Sequence, residues 1–292
     1  MKKSFIAAAV AASFLTTSAI ADISITGNYE GTFTGGNGPA NYAQDLDLTV
    51  KGKSGESTVT MMLEDIGADT SDNSVNATQV WIDTKLGGLD LMAGNKKGMK
   101  GNGLLQKKSA ASQKFSVATN VGPAGVKVTQ KSGDGNATAD LTFNVAGVDI
   151  KAQNVTNDTR FLTLGTEFQG LSVNVETQEA SAGKTNTAYS VGGDVAGFGV
   201  TYVNIDVQDA AGVTQDDGIL GDISDAVAGK DLYGVVASMD VAEVGTLTGK
   251  YITKNDADIY VGKVERGIFS ASVTDDSSAS DLAYKVEMNV AF

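Results

Sequence analysis

The chain has 292 residues, 22 of them basic and 35 acidic, a formal net charge of −13, and neither cysteine nor histidine. So acidic a chain is a poor partner for nucleic acid, the missing cysteines exclude a disulfide scaffold, and the missing histidines remove Ser-His-Asp and Cys-His catalysis together with the commonest zinc ligand. Carboxylate pairs remain, but among 35 acids such pairs arise by chance, so neither an enzyme nor a cofactor is expected.

The first element is a secretory signal. Lys2 and Lys3 precede an almost unbroken apolar run from Phe5 to Leu15, and Ala19-Ile20-Ala21 places small residues where a signal peptidase reads them. Cleavage is expected before Asp22, which divides the chain into a signal peptide, 1–21, and one domain, 22–292. Removing two lysines leaves 20 basic and 35 acidic residues, a mature charge of −15. No later apolar run is long enough for a spanning helix, so a membrane location requires strands.

From Asp22 onward the pattern has a period of two. Ile23, Ile25, Tyr29 and Phe33 alternate with Ser24, Thr26, Asn28, Glu30 and Thr32, and Leu46, Leu48 and Val50 alternate with Asp45, Asp47, Thr49 and Lys51. The alternation continues through Val59, Met61 and Leu63, through Val80 and Ile82, and through Leu89, Leu91 and Ala93. It ends with Leu282, Tyr284, Val286, Met288, Val290 and Phe292 set against Ala283, Lys285, Glu287, Asn289 and Ala291. Side chains of a strand point alternately to opposite faces, so each segment has one apolar and one polar face, at about the ten-residue length of a tilted membrane strand.

The connections alternate too. Lys53 to Glu56, Leu86-Gly87-Gly88, Gly122 to Gly125, Ala146-Gly147, Gln169-Gly170, Ala196-Gly197, Ala242 to Gly245 and Arg266-Gly267 are short and contain glycine, while those between them are mostly longer and polar. A meander barrel makes this parity, with periplasmic turns at one end and outer loops at the other. The expected fold is all-β: a closed, antiparallel, up-and-down transmembrane β-barrel of 16 to 18 strands, 18 being the best count. In lipid the first strand must pair with the last, because unpaired backbone groups find no partner there. Asp140, Asp149, Lys127, Lys151, Glu167, Glu176, Lys250, Lys285 and Glu287 then face a wet lumen. The alternative is a secreted, soluble all-β surface protein that buries the same apolar faces in a sandwich.

Residues 79–95, Q-V-W-I-D-T-K-L-G-G-L-D-L-M-A-G-N, together with the start at Asp22-Ile23-Ser24-Ile25-Thr26-Gly27 and the end at Val290-Ala291-Phe292, resemble the trimeric general porins of Gram-negative bacteria. The resemblance implies an outer-membrane homotrimer through which small hydrophilic solutes diffuse passively. It implies that Phe292 belongs to a signal for the barrel-assembly machinery, a role compatible with simple interfacial anchoring. It also implies a constriction loop after strand 5, here Lys96 to Lys114, folded into the lumen.

That interval departs from the family. It carries Lys96, Lys97, Lys100, Lys107, Lys108 and Lys114 and no acid, whereas general porins put acids there opposite wall arginines; the mature chain has only Arg160 and Arg266. Lumen-facing lysines set against the wall acids Asp45, Asp47, Glu64, Asp83 and Glu287 would favour small anions, phosphate included. On the outer rim they would instead be solvated or paired with lipopolysaccharide. A channel selective for a sugar or phosphate is the remaining membrane alternative.

Asp209 to Gly229 is the longest connection. Its acids do not follow calcium-loop spacing, and an acidic, solvated surface loop is expected. Trp81, Tyr42, Phe115, Phe161, Phe168, Tyr260 and Phe269 lie near strand ends, as girdle residues do, whereas Tyr202, Tyr233 and Phe143 do not, so the aromatics add little to the alternation.

Overall fold

The computed structural model describes residues 22–36, 38–64, 66, 76–98, 101–105, 109–157, 160–179, 183–213 and 218–292; the expected signal peptide lies outside them. The chain forms one sheet of eighteen antiparallel strands. They are β1 (Asp22–Gly36), β2 (Gly38–Ser54), β3 (Ser57–Glu64), β4 (Asn76–Leu86), β5 (Leu89–Gly98), β6 (Ser109–Val121), β7 (Ala124–Lys131), β8 (Thr138–Val145) and β9 (Val148–Gln153). The second half is β10 (Arg160–Phe168), β11 (Leu171–Glu179), β12 (Thr185–Val195), β13 (Phe198–Asp206), β14 (Leu232–Val241), β15 (Gly245–Lys254), β16 (Ala257–Arg266), β17 (Phe269–Asp276) and β18 (Ala283–Ala291).

Each strand pairs with its neighbours in sequence, and β1 pairs with β18 from Asn28↔Ala291 to Gly35↔Tyr284. Reciprocal bonds finish the seam: Gly27 N donates to Phe292 O at 2.8 Å and Phe292 N to Gly27 O at 3.0 Å. The sheet therefore has no edge, as expected of a barrel whose outside meets hydrocarbon.

One end of the barrel carries all the short turns anticipated above. At Ala146-Gly147, Gln169-Gly170 and Ala196-Gly197 both central residues have positive φ, the arrangement that matches the twist of a two-residue hairpin. The other end carries the longer connections, with two departures: β1 and β2 are separated by residue 37 alone, and β15 and β16 are joined by Asn255 and Asp256, both at positive φ. Asn and Asp tolerate this region better than other side chains bearing a Cβ, so a tight turn forms there without glycine.

Register sorts the two faces. Val50, Met61, Val80, Ala93, Phe115, Val128, Leu141, Ile150, Leu162 and Val175 all occupy one face, the outside. The interleaved positions carry Asp45, Asp47, Lys51, Glu30, Lys285 and Glu287 inside. All eight tyrosines face outward, between mid-strand and the long-loop end: Tyr29, Tyr42, Tyr189, Tyr202, Tyr233, Tyr251, Tyr260 and Tyr284. They stack in part on one another, with ring centroids 6.0 Å apart for Tyr189 and Tyr202 and 5.3 Å for Tyr251 and Tyr260.

Two expected girdle residues belong inside instead. Trp81 pairs with Thr60 and Gly94, and Phe161 with Gln153 and Gln178, all on the inward face, leaving them 9% and 1% exposed. The reason is parity, since Val80, Ile82 and Leu162 already hold the flanking outward positions. Trp81 is the chain's only tryptophan, so its fluorescence reports this directly. Brominated lipids should leave that fluorescence unquenched; strong quenching would put the indole in hydrocarbon.

Candidate functional site: a lumen narrowed by two loops

The wall from β4 to β9 carries a cluster of basic side chains. On the inward face Lys96, Lys114, Lys127, Lys131 and Lys151 follow one another across β5, β6, β7 and β9. Lys114 lies directly opposite Lys131, and like charges so placed repel. Lys127 is opposite Asp140. No ion pair among the described residues holds Lys114, Lys127, Lys131 or Lys151.

Lys96 and Lys97 are strand residues of β5, and Lys114 is one of β6, rather than loop residues. The expected loop shrinks because alternation runs on through these lysines, whose charge a wet lumen tolerates. Lys96 Nζ stands 4.5 Å from the Trp81 ring centroid and 3.8 Å from Asp83 Oδ1, and Trp81 Nε1 donates to Asp83 Oδ2 at 2.6 Å. Lys97 Nζ meets Glu64 Oε2 at 2.8 Å. Lys100, Lys107 and Lys108 lie outside the described residues.

The tip of this loop, residues 101–105, crosses the lumen to the far wall. Gly101 N donates to Gln153 Oε1 at 2.7 Å, and Asn102 N and Leu104 N donate to Glu176 Oε2 at 2.9 and 3.1 Å. Glu176, on β11, is 0% exposed. Two charge-assisted bonds compensate that buried carboxylate, and they hold the loop by its backbone. Gly101 is required: its φ is +67°, and an added Cβ would overlap the Glu176 carboxylate. Leu104 and Leu105 then pack on Ala188, Val203 and Ile205 of the inner wall.

A second segment folds into the same space, contrary to expectation. The connection between β13 and β14 buries Val207, Val213, Leu220, Ile223 and Ala226 against Leu104, Leu105, Leu232 and Ile252. Burying an aliphatic side chain yields about 1.5–3 kcal/mol, which holds the segment inside although its acids stay near water. Asn186 anchors its start, accepting from Gln208 N and Asp209 N at 2.8 Å each and donating to the Asp209 carbonyl at 2.8 Å. Lys254 Nζ meets Asp225 Oδ1 at 2.8 Å, and Asn255 Oδ1 accepts from Val227 N at 2.9 Å. The Ser224 hydroxyl and N–H donate to Asp222 and hold its carboxyl below the usual carboxylate range. Two of the anticipated loop acids, Asp216 and Asp217, lie outside the described residues.

Open space runs along the lysine wall, and a separate cavity of about 400 Å³ is lined by Glu167, Ser172, Thr201 and Ser238 on β10–β14. A cavity of about 600 Å³ is lined by Lys96, Lys97, Lys114, Lys127, Lys131 and Lys151 and by Asp83, Asp90 and Asp140. A second, of about 410 Å³, takes in Asn102, Asn144, Asp149 and Thr163. The two share Asn120, Gly125, Thr142 and Lys151, so together they trace a path past the loop residue Asn102 toward the short-turn end. Six lysines against three aspartates leave the first cavity with an excess of three positive charges.

The other wall residues singled out above face inward by register but stand elsewhere. Asp45, Asp47, Lys285 and Glu287 are on the β18–β1–β2 wall, Glu167 is near the short-turn end of β10, and Lys250 donates to the Ile219 carbonyl at 3.1 Å. Sequence reasoning passed over Lys131, although Lys127 and Thr129 establish its parity. It passed over Gln153 too, which nothing local marks.

A closed up-and-down barrel with an apolar outside, a polar inside and loops folded into its lumen is the architecture of the outer-membrane porins, and the chain has that fold. No protein-family model matches the chain, and no curated protein matches it. Among solved structures it is similar to OccK9 (OpdG) of Pseudomonas aeruginosa, with a TM-score of 0.57 at 11% identity over 93% of this chain and 98% of that one. The outer membrane protein opdK of Pseudomonas aeruginosa gives 0.54 at 9% over 93% and 99%. A mutant of the Rh. blastica porin gives 0.57 at 9% over 93% and 100%. At such identities the likeness is one of fold.

Proposed function

We propose that the protein is an outer-membrane porin, a water-filled channel for passive diffusion of small hydrophilic solutes that prefers anions. The observation that carries this reading is the continuous polar path with its excess of lysine, since charge focused in a narrow aqueous passage biases which ions enter. The preference arises on the wall, from Lys96, Lys114, Lys127, Lys131 and Lys151, while the loop tip sets the width. Export by a signal peptide cleaved before Asp22, assembly guided by Phe292, contact with lipopolysaccharide at the tyrosine belt and association into homotrimers complete the proposal.

Planar-bilayer recording under a potassium chloride gradient tests it. Ohmic channels whose reversal potential favours chloride are expected. Protein that stays monodisperse in buffer without detergent and leaves bilayers sealed would reject the porin reading, and cation-favouring channels would reject the anion preference.

A further inference from the structure

Three of the lysines lining the wall cavity have an acid beside or opposite them. Lys97 Nζ meets Glu64, Lys96 Nζ lies between Trp81 and Asp83, and Lys127 stands across from Asp140. Lys114 and Lys131 face each other instead. Ser132 N donates to Gln113 O at 2.8 Å, which makes Gln113 and Ser132 a hydrogen-bonded pair of the β6–β7 ladder and Lys114 and Lys131 a non-hydrogen-bonded one. In such a pair the Cα atoms stand about 4.5 Å apart, the closer of the two spacings in an antiparallel ladder.

Both side chains are half-buried, and neither ammonium has a hydrogen bond or ion pair among the described residues. The inward positions next to them on β5, β6 and β7 are Met92, Gly94, Lys96, Ser112, Ser116 and Thr129. None is acidic, and Lys96, diagonal to Lys114, adds a further positive charge. Like charges directly opposite destabilise the wall that holds them. One chloride offsets only one of the pair, and two chlorides in the same space repel each other as the lysines do.

We propose that Lys114 and Lys131 form a binding site within the channel for a dianionic phosphate, either the free ion or the terminal phosphate of a small monoester. The proposal rests on the reading of the protein as an anion-preferring porin and names the solute class that its lysine wall selects. A single dianion neutralises both ammoniums at once, and its oxygens accept from both, since each ammonium carries three donors and meets phosphate as a point charge. The hydroxyl-bearing Ser112, Ser116 and Thr129 occupy the adjoining positions. Lys127, four residues nearer the short-turn end of β7, is about 13 Å away at about 3.3 Å per residue, and Lys151 lies beyond it on β9. These two give a departing anion its next contacts, so the site is a stop on the way through rather than a trap.

Chloride current through single channels in a planar bilayer reads this site, with inorganic phosphate, glycerol phosphate or acetate added. At mildly alkaline pH, where phosphate is doubly charged, phosphate should interrupt the current saturably and acetate, a monoanion, should not. At mildly acidic pH, where phosphate carries one charge, the interruption should weaken. Lys114→Gln with Lys131→Gln should raise the half-blocking concentration about tenfold or more. Lys127→Gln with Lys151→Gln removes the same charge from the same wall, but at more than a Debye length in 0.1 M salt, and should raise it less than about threefold. Glutamine keeps the side chain long and polar, and heat-modifiable migration on gels checks that each barrel has closed. Interruption by inorganic phosphate alone identifies the free ion as the solute, and interruption by glycerol phosphate as well extends the site to monoesters; either supports the proposal. Equal weakening in the two double variants, equal interruption by acetate, or none by phosphate in channels that still prefer chloride overturns it and leaves the porin reading intact. Absence of channels from the unaltered protein removes the porin reading itself, and the proposal with it.

Discussion

Replacing Lys96, Lys114 and Lys131 together by glutamate should reverse the sign of the reversal potential. The three exchanges turn an excess of three positive charges in the wall cavity into an excess of three negative ones. A unit charge about 6 Å from a passing ion is worth about 0.7 kcal/mol in water, so each exchange alters the local ion energy by about 1.4 kcal/mol, a tenfold change in local concentration. Screening narrows the effect: the Debye length is about 10 Å at 0.1 M salt and about 3 Å at 1 M. The shift should therefore be large in dilute chloride and shrink in concentrated salt. Neutralising Lys114 alone should lower anion preference without reversing it, and relief of its repulsion with Lys131 should leave the barrel no less stable. An unchanged reversal potential in dilute salt would place the ion path away from this wall.

The fold was largely legible in the sequence because a membrane barrel repeats one local rule. Lys51 between Val50 and Gly52, or Glu287 between Val286 and Met288, declares its face through its neighbours, and glycine turns of constant parity count the hairpins. The same rule places Lys127 and Lys151 inside. It is silent where the chain leaves the sheet. Leu104 and Leu105 carry no alternation, and their destination depends on Glu176, 72 residues beyond Leu104, and on Ile205 beyond it.

The segment between β13 and β14 departs from its local pattern for the same reason. Its five acids suggested a solvated loop, but Leu220, Ile223 and Ala226 recur every third residue, a signal that it buries one side. Trp81 failed differently: distance from a strand end suggested a girdle, while parity with Val80 and Ile82 had already turned it inward. Tertiary contacts at long separation are what local pattern omits, and the constriction consists almost wholly of such contacts.

Removing the Glu176 carboxylate should loosen the constriction while sparing the barrel. Glu176→Ala deprives the N–H groups of Asn102 and Leu104 of an ionised acceptor, and bonds of this kind contribute about 1.5–3 kcal/mol each. The loss of about 3–6 kcal/mol lowers the ratio of docked to undocked loop by at least a hundredfold, since 1.4 kcal/mol is a factor of ten. Leu105, 0% exposed against the second inward segment, still tethers the tip. The single variant should therefore alternate between two conductance levels, the lower matching the unaltered channel. Adding Leu105→Asp, which forces a charge into that apolar contact, should leave only the higher level. The eighteen-strand ladder is untouched by either change, so heat-modifiable migration on gels should persist. A single, unaltered conductance level for Glu176→Ala would mean that the apolar contacts hold the loop without the carboxylate, and the double variant would then have to show the whole effect of release.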